Sequence, residues 1–174
     1  MHELSLHILD LLQNAAEAGA NRVDLTVTAD TRQHLLTICV EDNGKGISEE
    51  ILEKVSDPFT TTRTSRKVGL GLALLKAAAE SCGGSLKISS RVNVGTKVTA
   101  SFRLDHIDLP PLGDIAGTVM VFMTGRCGMI FSYRHCRDDR EYVFSSLGYE
   151  RLWEHPEFLI KFKETIEAGL KSLA

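Results

Sequence analysis

Residues 41–47 read Glu41-Asp42-Asn43-Gly44-Lys45-Gly46-Ile47, and this run decides the fold together with the residues around it. Residues 35–41 alternate between apolar and polar side chains, which predicts a strand that leads directly into Asp42. A carboxylate at the mouth of a pocket can accept a hydrogen bond from an exocyclic amine, such as N6 of adenine. Gly44 and Gly46 allow the backbone to turn and to approach a flat ring closely. A plain Asx-Gly turn uses the same residue types, so this run alone leaves both interpretations open.

Upstream of this run, the apolar spacing of residues 3–18 predicts a helix that Gly19 closes. Asn14 lies on its polar side, and its amide oxygen suits Mg²⁺, which takes oxygen ligands. Asp10 lies one turn earlier on the same side, where a carboxylate can orient or deprotonate a water near the metal. For both residues the alternative is an ordinary solvated side chain. The polar side of this helix comprises Glu3, His7, Asp10, Asn14 and Glu17.

Downstream of this run, a basic segment leads into a glycine-rich helix start. No acidic residue occurs between Pro58 and Ala79. Glycines at the start of the helix predicted over residues 69–81 expose backbone N–H groups, and the helix dipole there favours an anion. The cations Arg63, Arg66 and Lys67 could reach the same anion; the alternative is a solvated charged surface. The helix opens with Gly69-Leu70-Gly71-Leu72.

The remaining pattern predicts further strands and helices on both sides of a Pro-Pro linker at residues 109–113. Asp114 is a candidate N-cap for a helix, and residues from 156 onward have the apolar spacing of an amphipathic helix. The other predicted elements are strands at 22–29, 85–91 and 96–104, a short helix at 49–55, a helix at 113–124 and a β-hairpin of 129–136 with 140–146.

Composition narrows the function classes. The chain has 174 residues, 43% of them apolar, and a net charge of −3, which argues against nucleic-acid binding driven by bulk positive charge. It has no apolar run near the roughly 20 residues of a membrane span and no basic start followed by an apolar stretch, so we expect no membrane segment and no secretory signal. The four scattered cysteines are typical of reduced thiols in a cytoplasmic protein.

Charge divides the chain into two parts. Residues 1–104 carry 12 Lys and Arg against 12 Asp and Glu, whereas residues 105–174 carry 8 against 11. The whole net charge therefore belongs to the second part. We expect one domain at 1–104 and a C-terminal extension of unknown family at 105–174.

Four motifs in order resemble the GHKL ATPase superfamily, which includes gyrase, Hsp90, histidine kinases and the mismatch-repair MutL proteins. The resemblance covers residues 1 to about 104. Residues 13–20 resemble the N box and residues 41–47 the G1 box, while residues 57–63 resemble the F box and the start of the ATP lid. Residues 69–76, followed by Gly83-Gly84 and Gly95-Thr96, resemble the G2 and G3 pattern of the kinases.

The resemblance implies an α/β Bergerat fold, in which a mixed sheet is covered on one face by three helices, here followed by a small αββα extension. It also implies ATP, with Mg²⁺ held by the side-chain oxygen of Asn14 and with adenine at Asp42 and Thr96. The lid with Gly69 and Gly71 would hold the phosphates. The nucleotide contacts implied are Asn14, Asp42, Gly44, Gly46, Ile47, Thr61, Thr62, Arg63, Lys67, Gly69, Leu70, Gly71, Leu72 and Thr96.

Departures from the family pattern bear on the branch. Position 10 is Asp where hydrolysing members have Glu and histidine kinases often have Asn, and position 17 is Glu where the kinases often have Lys. His2-Glu3-Leu4 resembles a kinase phosphoacceptor motif, but it lies on the helix of Asn14 and lacks the Pro that usually follows. We therefore expect His2 and His7 to be ordinary surface histidines, and the chain to resemble a stand-alone kinase ATPase domain without its phosphoacceptor hairpin, as in anti-sigma-factor kinases.

Two functions remain open from the sequence. In the first, the protein transfers or hydrolyses the γ-phosphate of Mg²⁺-ATP with Asp10 as general base, acting on an unidentified protein partner. In the second, it is a non-catalytic switch, in which ATP orders the lid and the lid or the extension binds the partner. A homodimer through the extension is compatible with either function, whereas nucleic acid and membrane are not expected partners.

Overall fold

The structure, a computed structural model, describes residues 3–56, 70–126, 128–149 and 155–173. The predicted helices and strands all occur in these segments, with ends that shift by two residues at most. No helix in the described segments is long and apolar enough to cross a lipid bilayer. The helices are α1 (Leu4–Glu17), α2 (Glu49–Ser56), α3 (Leu70–Ser81), α4 (Ile115–Met123) and α5 (Pro156–Lys171), and the strands are β1 (Arg22–Asp30), β2 (Leu35–Asp42), β3 (Ser85–Arg91), β4 (Gly95–Arg103), β5 (Ile130–Arg137) and β6 (Arg140–Ser145).

The strands form a mixed sheet, which confirms the predicted fold class. The strand order is β3-β4-β2-β1-β5-β6. β1 and β5 run parallel, and the other neighbouring strands described are antiparallel. β2 lies between β1 and β4, so Asp42 at its end pairs with Val23 on one side and Thr96 on the other. The sheet therefore brings the Asp42 and Thr96 positions together, although they are 54 positions apart in the sequence.

Period-two alternation determines which face of the sheet is covered. Val23, Leu25 and Val27 of β1 are at most 1% exposed, while the residues between them are half-buried. Among the described residues, α4 and α5 of the predicted extension join α1 and α3 in one apolar cluster with this buried face. The helices contribute Leu4, Ile8, Leu11, Leu12 and Ala15 from α1, Leu72, Leu75 and Ala79 from α3, Ile115, Ala116, Val119, Phe122 and Met123 from α4, and Phe162 and Ile166 from α5.

The segment after residue 105 packs onto α1. The carbonyls of Pro111 and Leu112 accept hydrogen bonds from the first N–H groups of α1, at Leu4 (2.9 Å) and Ser5 (2.8 Å). These groups have no partner within a helix, so the linker caps α1. The predicted N-cap of α4 is confirmed, since the side chain of Asp114 accepts a hydrogen bond from the backbone N–H three residues later at 2.8 Å. The division at residue 105 stays a prediction, and both the sheet and the apolar cluster continue across it.

Candidate functional site

A cavity of about 670 Å³ opens at the edge of the sheet where β2 ends and β4 begins. α1 forms one wall, and the first turn of α3 and the loop after β2 complete the enclosure. The cavity therefore collects residues from five separate segments of sequence. They are Asp10, Leu11, Gln13, Asn14, Ala15, Glu17 and Ala18, then Val40 and Asp42, then Lys45, Gly46 and Ile47, then Gly71 and Leu72, and finally Thr96 and Val98.

Asp42 places a half-buried carboxylate in the cavity wall. One carboxylate oxygen accepts the backbone N–H of Gly44 at 2.8 Å. Burial raises the pKa of Asp42, whereas hydrogen bonds from the backbone N–H groups of Gly44 and Thr96 act in the opposite direction. The two N–H donors hold the carboxylate in place, and its remaining lone pairs can accept hydrogen bonds from a ligand.

The loop after β2 is pinned at both ends. The backbone N–H of Lys45 donates to the carbonyl of Ala18 at the end of α1 (2.9 Å). Gly46 has φ +68° and lies so close to the backbone of Arg91 that a Cβ would overlap its carbonyl. A side chain at this position would push the loop away from the sheet and open the cavity wall.

Two valines give the cavity an apolar floor. Val40 and Val98 are directly paired on β2 and β4, and they are 3% and 7% exposed. They lie two residues before Asp42 and two residues after Thr96, on the same face of the sheet. Our sequence analysis missed both, although the alternation that leads into Asp42 already placed Val40 on its face. The cavity thus has an apolar surface next to the Asp42 carboxylate, a combination that is typical of small-molecule sites.

Asn14 and Asp10 line the α1 wall as their helical spacing predicts. Asn14 is exposed to the cavity, whereas Asp10 is half-buried. Asp10 lies against the first turn of α3, since a Cβ at Gly71 would be 3.2 Å from the Asp10 carboxylate oxygen. The start of α3, which carries the positive end of the helix dipole, therefore adjoins the α1 wall.

The donor set on α1 suits a hard cation. The amide oxygen of Asn14 is an oxygen ligand of the kind that Mg²⁺ prefers, and the carboxylate of Asp10, one turn earlier, can hold a water beside the metal. In the residues that the structure describes, no three His, Cys, Asp or Glu side chains are placed to hold a metal ion by themselves. The residues thus fit a magnesium ion that takes its other ligands from phosphate and water, and do not form a closed metal cage.

Ser90, which no sequence pattern singled out, is central to the geometry of the site. Its hydroxyl oxygen accepts the backbone N–H of Ile47 at 2.8 Å and lies 2.8 Å from the hydroxyl of Thr96. It also donates to the carbonyl of Gly95 at 2.9 Å. One serine therefore joins the loop after β2 to the start of β4.

The structure brings most, but not all, of the predicted site residues into one place. Gly44 lies beside the cavity, where a Cβ would meet Ala18, and Leu70 is the first residue of α3. Eight predicted residues line the cavity: Asp10, Asn14, Asp42, Gly46, Ile47, Gly71, Leu72 and Thr96. Five lie outside the described residues: Thr61, Thr62, Arg63, Lys67 and Gly69.

The expectation for His7 is wrong. The side chain is 3% exposed, and within the described part of the chain its Nδ1 has no hydrogen-bond partner. Burial lowers the pKa of His7, and the charge of Asp10 partly opposes this shift. Helices α3 and α4 both pack against α1, which leaves less of α1 in solvent than its polar stripe indicates. His2 lies outside the described residues.

The sequence of the segment that forms this cavity matches a family of ATPases. Residues 2–106, more than half of the chain, match the family described as "Histidine kinase-, DNA gyrase B-, and HSP90-like ATPase". The chain is 38% identical over 107 residues to the histidine protein kinase DivJ of Caulobacter vibrioides, covering 59% of this chain and 18% of that protein. It is 37% identical over 92 residues to sporulation kinase D of Bacillus subtilis, covering 53% of this chain and 18% of that protein. The matched segment is thus under a fifth of either relative.

A solved structure described as the N-terminal domain of a DNA repair protein shares the fold. It superposes with a TM-score of 0.53 at 16% sequence identity, over 82% of this chain and 52% of that chain. The structural likeness extends over more of the chain than residues 2–106.

Proposed function

The chain belongs to the family of histidine kinase-, DNA gyrase B- and HSP90-like ATPases, and we propose that its cavity binds Mg²⁺-ATP and that the protein transfers or hydrolyses the γ-phosphate in signal transduction. The observation that carries the proposal is the meeting of three groups in one cavity: the carboxylate of Asp42, the amide oxygen of Asn14 and the glycine start of α3 at Gly71. These groups suit the amine of adenine, a magnesium ion and a phosphate chain, respectively.

Base recognition would use the sheet side of the cavity. Asp42 accepts a hydrogen bond from the 6-amino group, while Val40 and Val98 contact the face of the ring. Asp42 is already held by two backbone N–H groups, so little conformational freedom is lost when a ligand binds.

Phosphate chemistry would use the α1 and α3 side. Mg²⁺, held through the Asn14 oxygen, would neutralise charge on the transferring group. The acceptor oxygen forms a bond to the γ-phosphorus while the bond to the β–γ bridging oxygen breaks, and ADP leaves. Asp10 takes the proton of the attacking hydroxyl or water. The lid residues Arg63 and Lys67 would supply the cations that Glu17 does not.

The partner would be a protein that carries the phosphoacceptor. The two relatives named above are kinases by their descriptions, and their similarity to this chain is confined to about 60% of it or less. The segment after residue 105 is our candidate for partner docking or homodimerisation. Most of the apolar side of α5 already packs inside the protein, at Phe162 and Ile166, so docking would use other surfaces of that segment.

A switch without catalysis is the second candidate, and one contact favours it. Asp10 adjoins the first turn of α3, and α1 is in turn packed against α4 and capped by Pro111 and Leu112. A nucleotide that moves the start of α3 would therefore act on α1 and, through it, on the C-terminal segment.

Asp10→Asn tests the catalytic role that the first candidate gives to Asp10. With Asp10 as the base, the variant binds ATP but loses about 100-fold or more in turnover. Glu17→Gln is the matched control, because it removes another carboxylate of the same cavity wall and should keep most of the turnover. Unchanged turnover in Asp10→Asn would exclude Asp10 as the base.

The fate of the γ-phosphate tests the proposal itself. The pure protein is incubated with γ-labelled ATP and Mg²⁺, with and without candidate partner proteins. Label on a partner supports a protein kinase, and free phosphate supports an ATPase. Binding without any release of label would favour the switch, and absence of binding would contradict both candidates.

A further inference from the structure

The hydroxyl of Ser90 reaches three groups at the base end of the cavity. Ser90 lies near the end of β3, and its side-chain oxygen is 2.8 Å from the N–H of Ile47, 2.8 Å from the hydroxyl of Thr96 and 2.9 Å from the carbonyl of Gly95. Ile47 and Thr96 both line the cavity. Ser90 is thus the common partner of two cavity residues that are far apart in sequence.

Counting hydrogens determines the direction of each bond. A serine hydroxyl has one hydrogen and two lone pairs. The carbonyl of Gly95 can only accept, so the hydrogen of Ser90 belongs to that bond. The N–H of Ile47 takes one lone pair of Ser90. The short contact with Thr96 therefore contains the hydrogen of Thr96, which donates to the second lone pair of Ser90.

This direction changes what Thr96 offers a ligand. Its only hydroxyl hydrogen is committed to Ser90, so toward the cavity the hydroxyl has lone pairs alone. Thr96 and Asp42 are direct neighbours on β4 and β2. The wall that faces the base therefore consists of two hydrogen-bond acceptors side by side, a carboxylate and a hydroxyl oxygen.

We infer that Ser90 is a positioning residue that makes Thr96 a hydrogen-bond acceptor and thereby selects a 6-amino purine against a 6-oxo purine. This inference rests on the proposed nucleotide function. An amino group brings N–H donors to the two acceptors, whereas a 6-oxo group brings lone pairs that the same wall repels. Without Ser90, the Thr96 hydrogen is free to rotate toward the cavity and donate to a 6-oxo group.

The test measures the dissociation constants of ATP and ITP, which differ in this way at position 6, by isothermal titration. We expect the wild-type protein to prefer ATP. Ser90→Ala should weaken ATP binding about threefold to tenfold, the value of one hydrogen bond, while ITP binding stays the same or becomes tighter. The ratio of the ITP dissociation constant to the ATP dissociation constant should therefore fall by at least the factor that is lost in ATP affinity.

Three variants separate this role from a merely structural one. Ser89→Ala removes an exposed hydroxyl from the adjacent position of β3 and should change neither constant. Ser90→Thr keeps the hydroxyl and should keep the wild-type preference. In a Thr96→Val background, Ser90→Ala should change the preference by less than about twofold, because no hydroxyl remains to be oriented.

The results that would contradict the role of Ser90 differ from the result that would contradict nucleotide binding itself. Equal loss of ATP and ITP affinity in Ser90→Ala, or an undiminished effect in the Thr96→Val background, would overturn the role of Ser90 and leave the proposed nucleotide function standing. A wild-type protein that binds neither nucleotide would overturn both.

Discussion

The sheet has one polar cluster at the end where β2 meets β4 and another on β5, toward its other end. The two clusters differ in whether their hydrogen-bonding groups are all used within the protein. At the end where β2 meets β4, Asp42 and Thr96 are held by neighbouring groups but keep lone pairs toward a cavity. Toward the other end, the hydroxyl of buried Tyr133 shares a hydrogen bond of 2.7 Å with Nδ1 of His135. There Tyr133 and His135 use each other as hydrogen-bond partners, and the ring of Tyr133 also makes an edge-to-face contact with Tyr142.

A shifted pKa occurs at both ends and therefore does not mark the site. Burial raises the pKa of Asp42, and burial together with the charge of Arg137 lowers the pKa of His135 to about 4. The ends differ in whether hydrogen-bonding capacity is left over. At Asp42 it is directed into a space that a ligand can fill, whereas at His135 Nδ1 is occupied within the protein. Unused capacity at a cavity, more than the pKa shift, indicates function here.

The largest effect should come from removing the acceptor carboxylate. We expect Asp42→Asn to weaken ATP binding by about 100-fold, because it replaces a charged acceptor with an amide that presents a donor to the base. Titration calorimetry measures the change. Asp24→Asn is the control, since Asp24 is a half-exposed carboxylate on β1 that pairs with Arg22 at 3.1 Å. Equal ATP affinity in Asp42→Asn and wild type would place the base elsewhere.

An effect on stability alone is expected at the other end. Gly169 of α5 lies so close to the ring of Tyr142 that a Cβ would overlap it. Gly169→Ala should lower the free energy of unfolding by about 1 to 2 kcal/mol, because overpacking outweighs the gain in helix propensity. Denaturant unfolding measures this, and ATP affinity of the folded protein should not change.

Tyr142→Leu removes the ring that the new Cβ at residue 169 would overlap, so it is the background in which the Gly169→Ala effect is measured again. There Gly169→Ala should become neutral or stabilising. The same loss in both backgrounds would show that the close contact with Tyr142 is not its cause.

An effect confined to acidic pH should come from His135. Its pKa of about 4 in the folded protein lies below the ordinary 6.5, so between these values the unfolded chain binds more protons. The stability that the folded protein gains while His135 is neutral is therefore fully present above about pH 6.5, and it is lost as the pH falls toward 4. His135→Gln, whose amide can either donate to or accept from Tyr133, should flatten the fall of Tm across this window by a few degrees. The exposed His155→Gln should leave the slope as it is in wild type, and a parallel fall in His135→Gln and wild type would assign the slope to other groups.

Local pattern was sufficient for much of the fold. The alternation in β1 and β2, the apolar spacing of α1 and the N-cap at Asp114 are all properties of adjacent residues, and the structure has each of them. The motif order also predicts Asp42 and Thr96 in one site, and their pairing across β2 and β4 brings these two positions together.

Long-range packing was out of reach of the same patterns. The parallel pairing of β5 with β1 joins segments about 100 residues apart, and nothing local in either strand specifies it. His7 was misjudged because the helices that cover α1 come later in the chain. Ser90 was missed because its role depends on three partners from two other segments, while a serine in a strand is unremarkable by itself.

A crystal structure with Mg²⁺ and ADP tests the central claim most directly. The account predicts that the base lies against Asp42 and Thr96 between Val40 and the loop at Gly46. It also predicts that the metal is coordinated by the side-chain oxygen of Asn14 and that the phosphates point to the start of α3. A nucleotide bound with its base away from Asp42, or a metal with no contact to Asn14, would contradict it.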